Sequence, residues 1–178
     1  MKLGIIGTGW IVKDFLPELT KMEGLEIVSI MGSPQGFEKA QVLSEQYKIP
    51  NAVHDLDELC ASGIDTVYVA VPNNLHFMYC RKALEKGMNV IVEKPMTDNA
   101  GEAENLAVLA RKKKLFLFEA ITTAYMTGYQ KIREWIPLIG EVKLVQSRFC
   151  QYSSRYDNFK KGIIAPAFDP KKSGGALM

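Results

Sequence analysis

The chain has 178 residues, with 22 Lys and Arg against 20 Asp and Glu for a net charge of +2, 47% hydrophobic residues and 24% charged ones. That mix is ordinarily globular and excludes disordered and low-complexity classes, while the balanced charge argues against nucleic acid or a membrane surface as partner. At about 150 residues per domain, one full domain plus a remnant is expected.

Short β-branched runs alternate with amphipathic segments of helical length. Leu3 to Ile6 reads as a strand, and Ile11, Val12, Phe15, Leu16, Leu19 and Met22 form one helical stripe. Pro17 removes a backbone donor inside that stripe, which predicts a kink or an early end. Leu25 to Met31 is a second strand, Gly36 to Tyr47 a helix, Ala52 to His54 a short strand and Leu56 to Ala61 a short helix. Asp65 to Val71 is a strong buried strand, followed by a helix from Leu75 to Lys86 that Gly87 stops. Asn89 to Val92 is a strand, Asp98 caps a helix through Lys114, and Leu115 to Phe118 is one more strand. This alternation of apolar strands with helices predicts an α/β fold, a doubly wound parallel sheet covered on both faces and ending near Ala120.

Beyond Ala120 the rhythm changes to a helix around Gly128 to Leu138, a long alternating strand from Glu141 to Tyr152, and loop chemistry to Met178. Such a strand has unpaired edges and would seek a partner. The final Ser173-Gly174-Gly175-Ala176-Leu177-Met178 has neither cap nor polar tail, as expected of a chain cut inside an element. Cys60, Cys80 and Cys150 are widely spaced, with no CxxC pair and no histidine cluster. They read as reduced, buried thiols of a cytoplasmic protein, and no metal site is expected. Gly7, Gly9 and Asp14 break the apolar start, so it does not read as a signal peptide, and no stretch approaches 18 apolar residues.

The chemistry collects at the predicted strand ends. Gly7-Thr8-Gly9-Trp10-Ile11 lies between the first strand and first helix, where a dinucleotide fingerprint places its glycines. Gly7 permits the tight turn, Gly9 admits a pyrophosphate, and the helix N-terminus offers unpaired N–H groups. Val12 stands at the third fingerprint position, which is expected to hold helix and strand slightly further apart. The bland alternative is a Gly-rich turn that binds no nucleotide. The second strand ends without the carboxylate that would bind the ribose of NAD. Gly32 and Ser33 instead leave room for the 2′-phosphate of NADP, although Pro34 replaces a clamping arginine and Lys39 substitutes only loosely. NADP is favoured over NAD, and a simple turn is the other reading. Val71-Pro72-Asn73-Asn74-Leu75-His76 and Val92-Glu93-Lys94-Pro95 follow two further strands, on the edge where open α/β sheets bind ligands. Lys94 is either an ammonium group aimed at a nicotinamide or an exposed strand-end lysine paired with Glu93. His76 either lines the pocket or is packed.

Together these residues resemble the Gfo/Idh/MocA oxidoreductases, named for glucose-fructose oxidoreductase and inositol dehydrogenase. The resemblance rests on Gly7-Thr8-Gly9, Pro72…His76, Gly87…Val90…Glu93-Lys94-Pro95, Glu119-Ala120 and Gly174-Gly175-Ala176-Leu177-Met178. It implies a Rossmann domain over residues 1–120 that binds NAD(P), and over 121–178 the start of an incomplete α/β domain that carries substrate and the interface of a homo-oligomer. It also implies hydride transfer between nicotinamide and a secondary alcohol or carbonyl of a sugar, cyclitol or dihydrodiol, with Lys94 handling the hydroxyl proton. In that reading Gly7, Thr8, Gly9, Trp10 and Ile11 hold the pyrophosphate and Ser33 the adenosine ribose. Pro72, Asn73, His76 and Glu93 hold the nicotinamide half. Two departures stand out: Ala124 occupies a position where many members carry an arginine, and the chain ends before the family's Asp-x-Gly-x-His or Asp-x-Gly-x-Tyr segment. The competing expectations are a catalytically inert cofactor-binding fragment or a nucleotide-sensing module.

Overall fold

The structure is a computed structural model and describes residues 1–153 and 155–164. Six parallel strands, β1 (Lys2–Ile6), β2 (Glu26–Met31), β3 (Asn51–Val53), β4 (Thr66–Val69), β5 (Asn89–Val92) and β6 (Leu117–Glu119), form one sheet in the order β3-β2-β1-β4-β5-β6. This is the doubly wound order in which the chain reverses direction beside β1. The helices are α1 (Trp10–Leu19), α2 (Phe37–Tyr47), α3 (Leu56–Ala61), α4 (His76–Glu85) and α5 (Ala100–Lys113). Apolar side chains cover both faces of the sheet. Ile5, Ile30, Val12, Leu16, Ala40 and Leu43 fill one layer with α1 and α2, and Ile6, Val67, Val69, Leu59, Leu84 and Leu106 fill the other with α3, α4 and α5. Burial on both faces explains why β4 and β5 read as continuous apolar runs rather than alternating ones.

Local chemistry sets the element ends. Pro17 sits inside α1, which stops two residues later at Leu19, short of Met22. Asn99, not Asp98, caps α5, because its side chain accepts the Glu102 N–H at 3.0 Å. Asp55 caps α3 by accepting the Glu58 N–H at 2.8 Å, and the Glu58 carboxylate reaches back to the His54 N–H at 3.4 Å and ring Nδ1 at 3.1 Å. This reciprocal cap accounts for the exposed His54-Asp55-Glu58 cluster. The β1–β2 register passes from Leu3↔Ile27 to Gly4↔Ser29 and skips Val28, and the buried Ser29 Oγ has no hydrogen-bond partner among the described residues.

The chain divides into two compact units, Met1–Ala120 and Ile121–Met178. In the second, 3₁₀ turns at Thr122–Tyr125 and Ile136–Ile139 flank α6 (Thr127–Trp135), and α7 covers Tyr156–Lys160. Residues 141–153 form no regular structure, contrary to the strand expected from Glu141 to Tyr152. A strand needs a paired neighbour for its backbone groups, and no strand is formed among the described residues of this unit. The Gly174–Met178 segment lies outside the described residues. All three cysteines are free, but only Cys80 is buried; Cys60 is half-buried and Cys150 exposed. No helix among the described residues is long and apolar enough to cross a membrane.

Candidate functional site

The exits of β1, β2, β4 and β5 meet at one edge of the sheet. After β1, Gly7 turns at φ +124°, and a Cβ there would stand 2.2 Å from the Ala70 carbonyl oxygen. Its N–H donates to Met31 O at 3.0 Å, so the loop is wedged between the ends of β4 and β2, and only glycine fits. Gly9 serves a different purpose. Its backbone is extended and relaxed, a Cβ on it would meet nothing within 4 Å, and no side chain caps α1. The first helical hydrogen bond runs from Lys13 N–H to Gly9 O. The N–H groups of Trp10, Ile11 and Val12 thus have no partner among the described residues, and no acidic residue occupies the first turn. A helix start left open in this way is an anion site in waiting. Trp10 projects its ring outward with 72% exposure, and Val12 is buried among Ile5, Ile30 and Leu16.

After β2 the backbone corrects the reading of Gly32. This residue is buried, and a Cβ on it would stand 2.7 Å from Gly36 O. Its small size admits the 3₁₀ turn Pro34–Gly36 rather than leaving room for a phosphate. The open polar position is Ser33, which is exposed. Its Oγ lies 3.1 Å and Thr8 Oγ1 3.8 Å from the point a Gly36 Cβ would occupy, so two hydroxyls converge there. Lys39 instead lines a groove of about 350 Å³ between α1 and α2 with Lys13 and Tyr47.

Beyond β4, Pro72 is exposed and opens the 3₁₀ turn Asn73–Leu75, in which Asn73 is half-buried. His76 is fully buried. Its Nδ1 lies 2.8 Å from Pro95 O and its Nε2 2.9 Å from Val71 O, so the ring bridges the exits of β4 and β5. With both ring nitrogens facing backbone carbonyls, the ring is packed and neither nitrogen is turned toward open space.

The turn after β5 is held from three sides. Glu93 is buried; its Oε1 accepts the Tyr68 hydroxyl at 2.6 Å and its Oε2 the Lys94 N–H at 3.3 Å. Burial pushes the Tyr68 phenol well above its usual value, and the hydrogen bond and charge of Glu93 push it further the same way. Glu119 accepts the Met96 N–H at 2.9 Å, and His76 holds Pro95. The Lys94–Pro95 peptide is cis. Lys94 itself is exposed, and its ammonium makes no hydrogen bond or ion pair with any described residue. The pairing with Glu93 weighed from sequence is absent; the Glu93 oxygens accept instead from the Tyr68 hydroxyl and the Lys94 backbone N–H. The sequence reading had no role for Tyr68 or Glu119. Tyr68 sits among apolar neighbours in a buried strand, and the one available signal was a hydroxyl where Val or Ile would pack equally well.

Tyr125, Tyr129, Trp135, Ile136, Tyr152 and Tyr156 are all exposed in the second unit. There Tyr152 donates to Asp157 Oδ1 at 2.9 Å and meets Tyr156 edge to face.

The residues of this edge fit a dinucleotide. A pyrophosphate needs several unpaired N–H donors and open space above a glycine, and both are present at Gly9 and the start of α1. No carboxylate stands at the end of β2 to oppose a 2′-phosphate.

Residues 1–121 match the family described as an oxidoreductase family with an NAD-binding Rossmann fold. Among curated proteins, the chain is 32% identical over 179 residues to the scyllo-inositol 2-dehydrogenase (NADP(+)) IolU of Bacillus subtilis (strain 168), covering 100% of this chain and 54% of that protein. It is 30% identical over 180 residues to a trans-1,2-dihydrobenzene-1,2-diol dehydrogenase of Xenopus tropicalis, covering 99% and 52%. The chain thus spans about half the length of these relatives. Among solved structures it is similar to KijD10, a 3-ketoreductase from Actinomadura kijaniata in complex with NADP and TDP-benzene, at 26% identity and a TM-score of 0.72, covering 78% of this chain and 42% of that one. A match over two thirds of the chain, on a parallel six-stranded sheet, means that this chain belongs to the Gfo/Idh/MocA oxidoreductase family.

Proposed function

We propose that the protein is an NADP-dependent oxidoreductase that interconverts a secondary alcohol and a carbonyl on a sugar, cyclitol or dihydrodiol. The observation that carries the reading is the free ammonium of Lys94, set on a turn held from three neighbouring elements, on the same sheet edge as the glycine loop. The named activities of the inositol, dihydrodiol and keto-sugar relatives support it.

When bound, the nicotinamide supplies the hydride acceptor or donor. The chain's own residues do the rest. The N–H groups of Trp10 and Ile11 bind the pyrophosphate over Gly9, and the convergent Thr8 and Ser33 hydroxyls take the ribose phosphate end. Pro72, Asn73 and Glu93 border the nicotinamide half, with His76 supporting them from beneath rather than touching the ligand. As the neutral amine, Lys94 Nζ would take the hydroxyl proton in the oxidative direction and become the ammonium, which would return that proton in the reductive one. We read residues 1–120 as the coenzyme domain and 121–178 as the start of a substrate domain that also assembles a homo-oligomer, in a cytoplasmic enzyme.

The test is Lys94→Ala in the full-length protein, assayed against a polyol panel with NADP. Turnover is expected to fall by about 10²- to 10⁴-fold, the usual worth of a positioned acid or base, with the dissociation constant for NADP within roughly twofold of wild type. Unchanged turnover refutes the role of Lys94.

A further inference from the structure

The turn that presents Lys94 contains one arrangement that the proposed chemistry does not by itself require. A carboxylate stands next to the lysine in sequence, yet the two charges are not paired. Glu93 is buried, where an unpaired carboxylate is costly, and the adjacent ammonium is its most obvious counter-ion. Its two oxygens are instead occupied by the Tyr68 hydroxyl at 2.6 Å, from the middle of β4, and by the Lys94 backbone N–H at 3.3 Å.

Resting on the reading of Lys94 above, we propose that Tyr68 is a positioning residue. Its phenol ties Glu93 to β4, so that the carboxylate does not neutralise the Lys94 ammonium. Tyr68 pairs with Ile91 across the β4–β5 ladder, two residues before Glu93, so the tie follows from strand register. The other ionisable groups of this turn are accounted for. Glu119 accepts from Met96 N–H, and His76 lies between the Val71 and Pro95 carbonyls. Neither competes with Tyr68 for Glu93. Removing the hydroxyl leaves one carboxylate oxygen without its donor in a buried site, which the Lys94 ammonium on the following residue, otherwise without a partner among the described residues, is then free to supply.

The experiment compares full-length wild type, Tyr68→Phe, Tyr68→Phe with Glu93→Gln, and Lys94→Ala on one substrate with NADP. Tyr68→Phe is expected to lower kcat about tenfold and to move the acidic limb of the oxidative kcat profile up by about one pH unit, the effect of an opposite charge brought within a few ångströms of a lysine. Its dissociation constant for NADP, read by tryptophan fluorescence, stays within about twofold. Adding Glu93→Gln removes the competing charge and returns the limb to its wild-type position or below. A loss confined to thermal stability, with kcat and the pH limb unchanged, overturns the proposal. So does a limb that stays displaced in the double variant, which also serves as the test protein if the single variant does not fold. The parent reading fails separately: if Lys94→Ala turns over normally both ideas fall, whereas a crippled Lys94→Ala beside an unaffected Tyr68→Phe removes Tyr68 alone.

Discussion

Residues 1–120 and residues 121–164 are both well supplied with large apolar side chains, and they treat them in opposite ways. In the first unit Leu16, Ile30, Leu59 and Val67 are completely buried; in the second Leu138, Leu144 and Phe149 are 79%, 85% and 90% exposed. Helical amphipathicity does not explain the contrast. Tyr129, Ile132 and Ile136 on and just after α6 recur at steps of three and four residues, as the buried His76, Cys80 and Ala83 do on α4. The difference is the sheet. A parallel sheet gives every helix of the first unit an apolar face to cover, whereas α6 and α7 have no strand among the described residues of their own unit to pack against. Periodicity reports which side chains are able to be buried, and the presence of a complementary surface decides whether they are.

The widest gap between the two units should be in thiol chemistry. Burial pushes the Cys80 thiol up to about 12, and it lies inside the α4 layer at 0% exposure, so it is protonated and sterically closed at neutral pH. Cys150 is exposed. At pH 8 a thiol reagent should label Cys150 at least about 100-fold faster than Cys80, whose reaction must wait for opening of the first unit. Peptide mapping of the labelled protein measures the ratio, and comparable rates would mean that the α4 layer is not a closed core. Truncation gives a smaller contrast. Leu59→Ala removes a side chain at 0% exposure that, with Ile64, packs against Gly4 and should cost about 2–5 kcal/mol in denaturant unfolding. Leu144→Ala should stay within about 0.5 kcal/mol. A large loss for Leu144→Ala would show that residues outside those described cover it.

How much of this was legible in the sequence follows the same division. All six strands of the first unit were readable, because β-branched runs between glycines and helix stripes leave little choice of element. The edge proposed to carry the chemistry was readable as a place: Gly7, Gly9 and Lys94 follow β1 and β5 at the strand ends, where the motifs put them. The sequence was silent on what holds that edge. Nothing in a linear reading ties Tyr68 to Glu93 across 25 positions or Glu119 to Met96 across 23, since register and side-chain direction create those contacts. His76 looked as much like a ligand as a packed ring, and its two carbonyl partners come from separate loops. Gly32 was misread because the space beside it is filled by the backbone of its own turn. The strand expected from Glu141 to Tyr152 failed for a third reason, that alternation is a property of one segment and a strand is a property of two.

The smallest effect sharpens the comparison at the level of single charges. Asp65 and Asp157 are both held below the usual 3.8. For Asp65 the leading cause is the Thr66 hydroxyl, reinforced by the Lys2 N–H; for Asp157 it is Lys160, then the Tyr152 hydroxyl. A carboxylate with a depressed folded value contributes stability above its unfolded value and loses it as pH falls through the folded one, so both contributions fade below about pH 4. They differ in what they are coupled to. Asp65 accepts from Lys2 at 2.9 Å across 63 residues, joining the start of β1 to β4, and that contact forms only when the whole first unit folds. Asp157 answers to groups three and five residues away, which a locally formed α7 already brings together. Asp65→Asn should therefore flatten the acid slope of the global thermal midpoint between pH 5 and pH 3. Solvent screening limits the change to at most about 1 kcal/mol. Asp157→Asn should leave that midpoint unmoved and show itself only as faster hydrogen exchange near α7. If Asp157→Asn flattens the global slope as Asp65→Asn does, the two units unfold as one and the division drawn from burial is wrong.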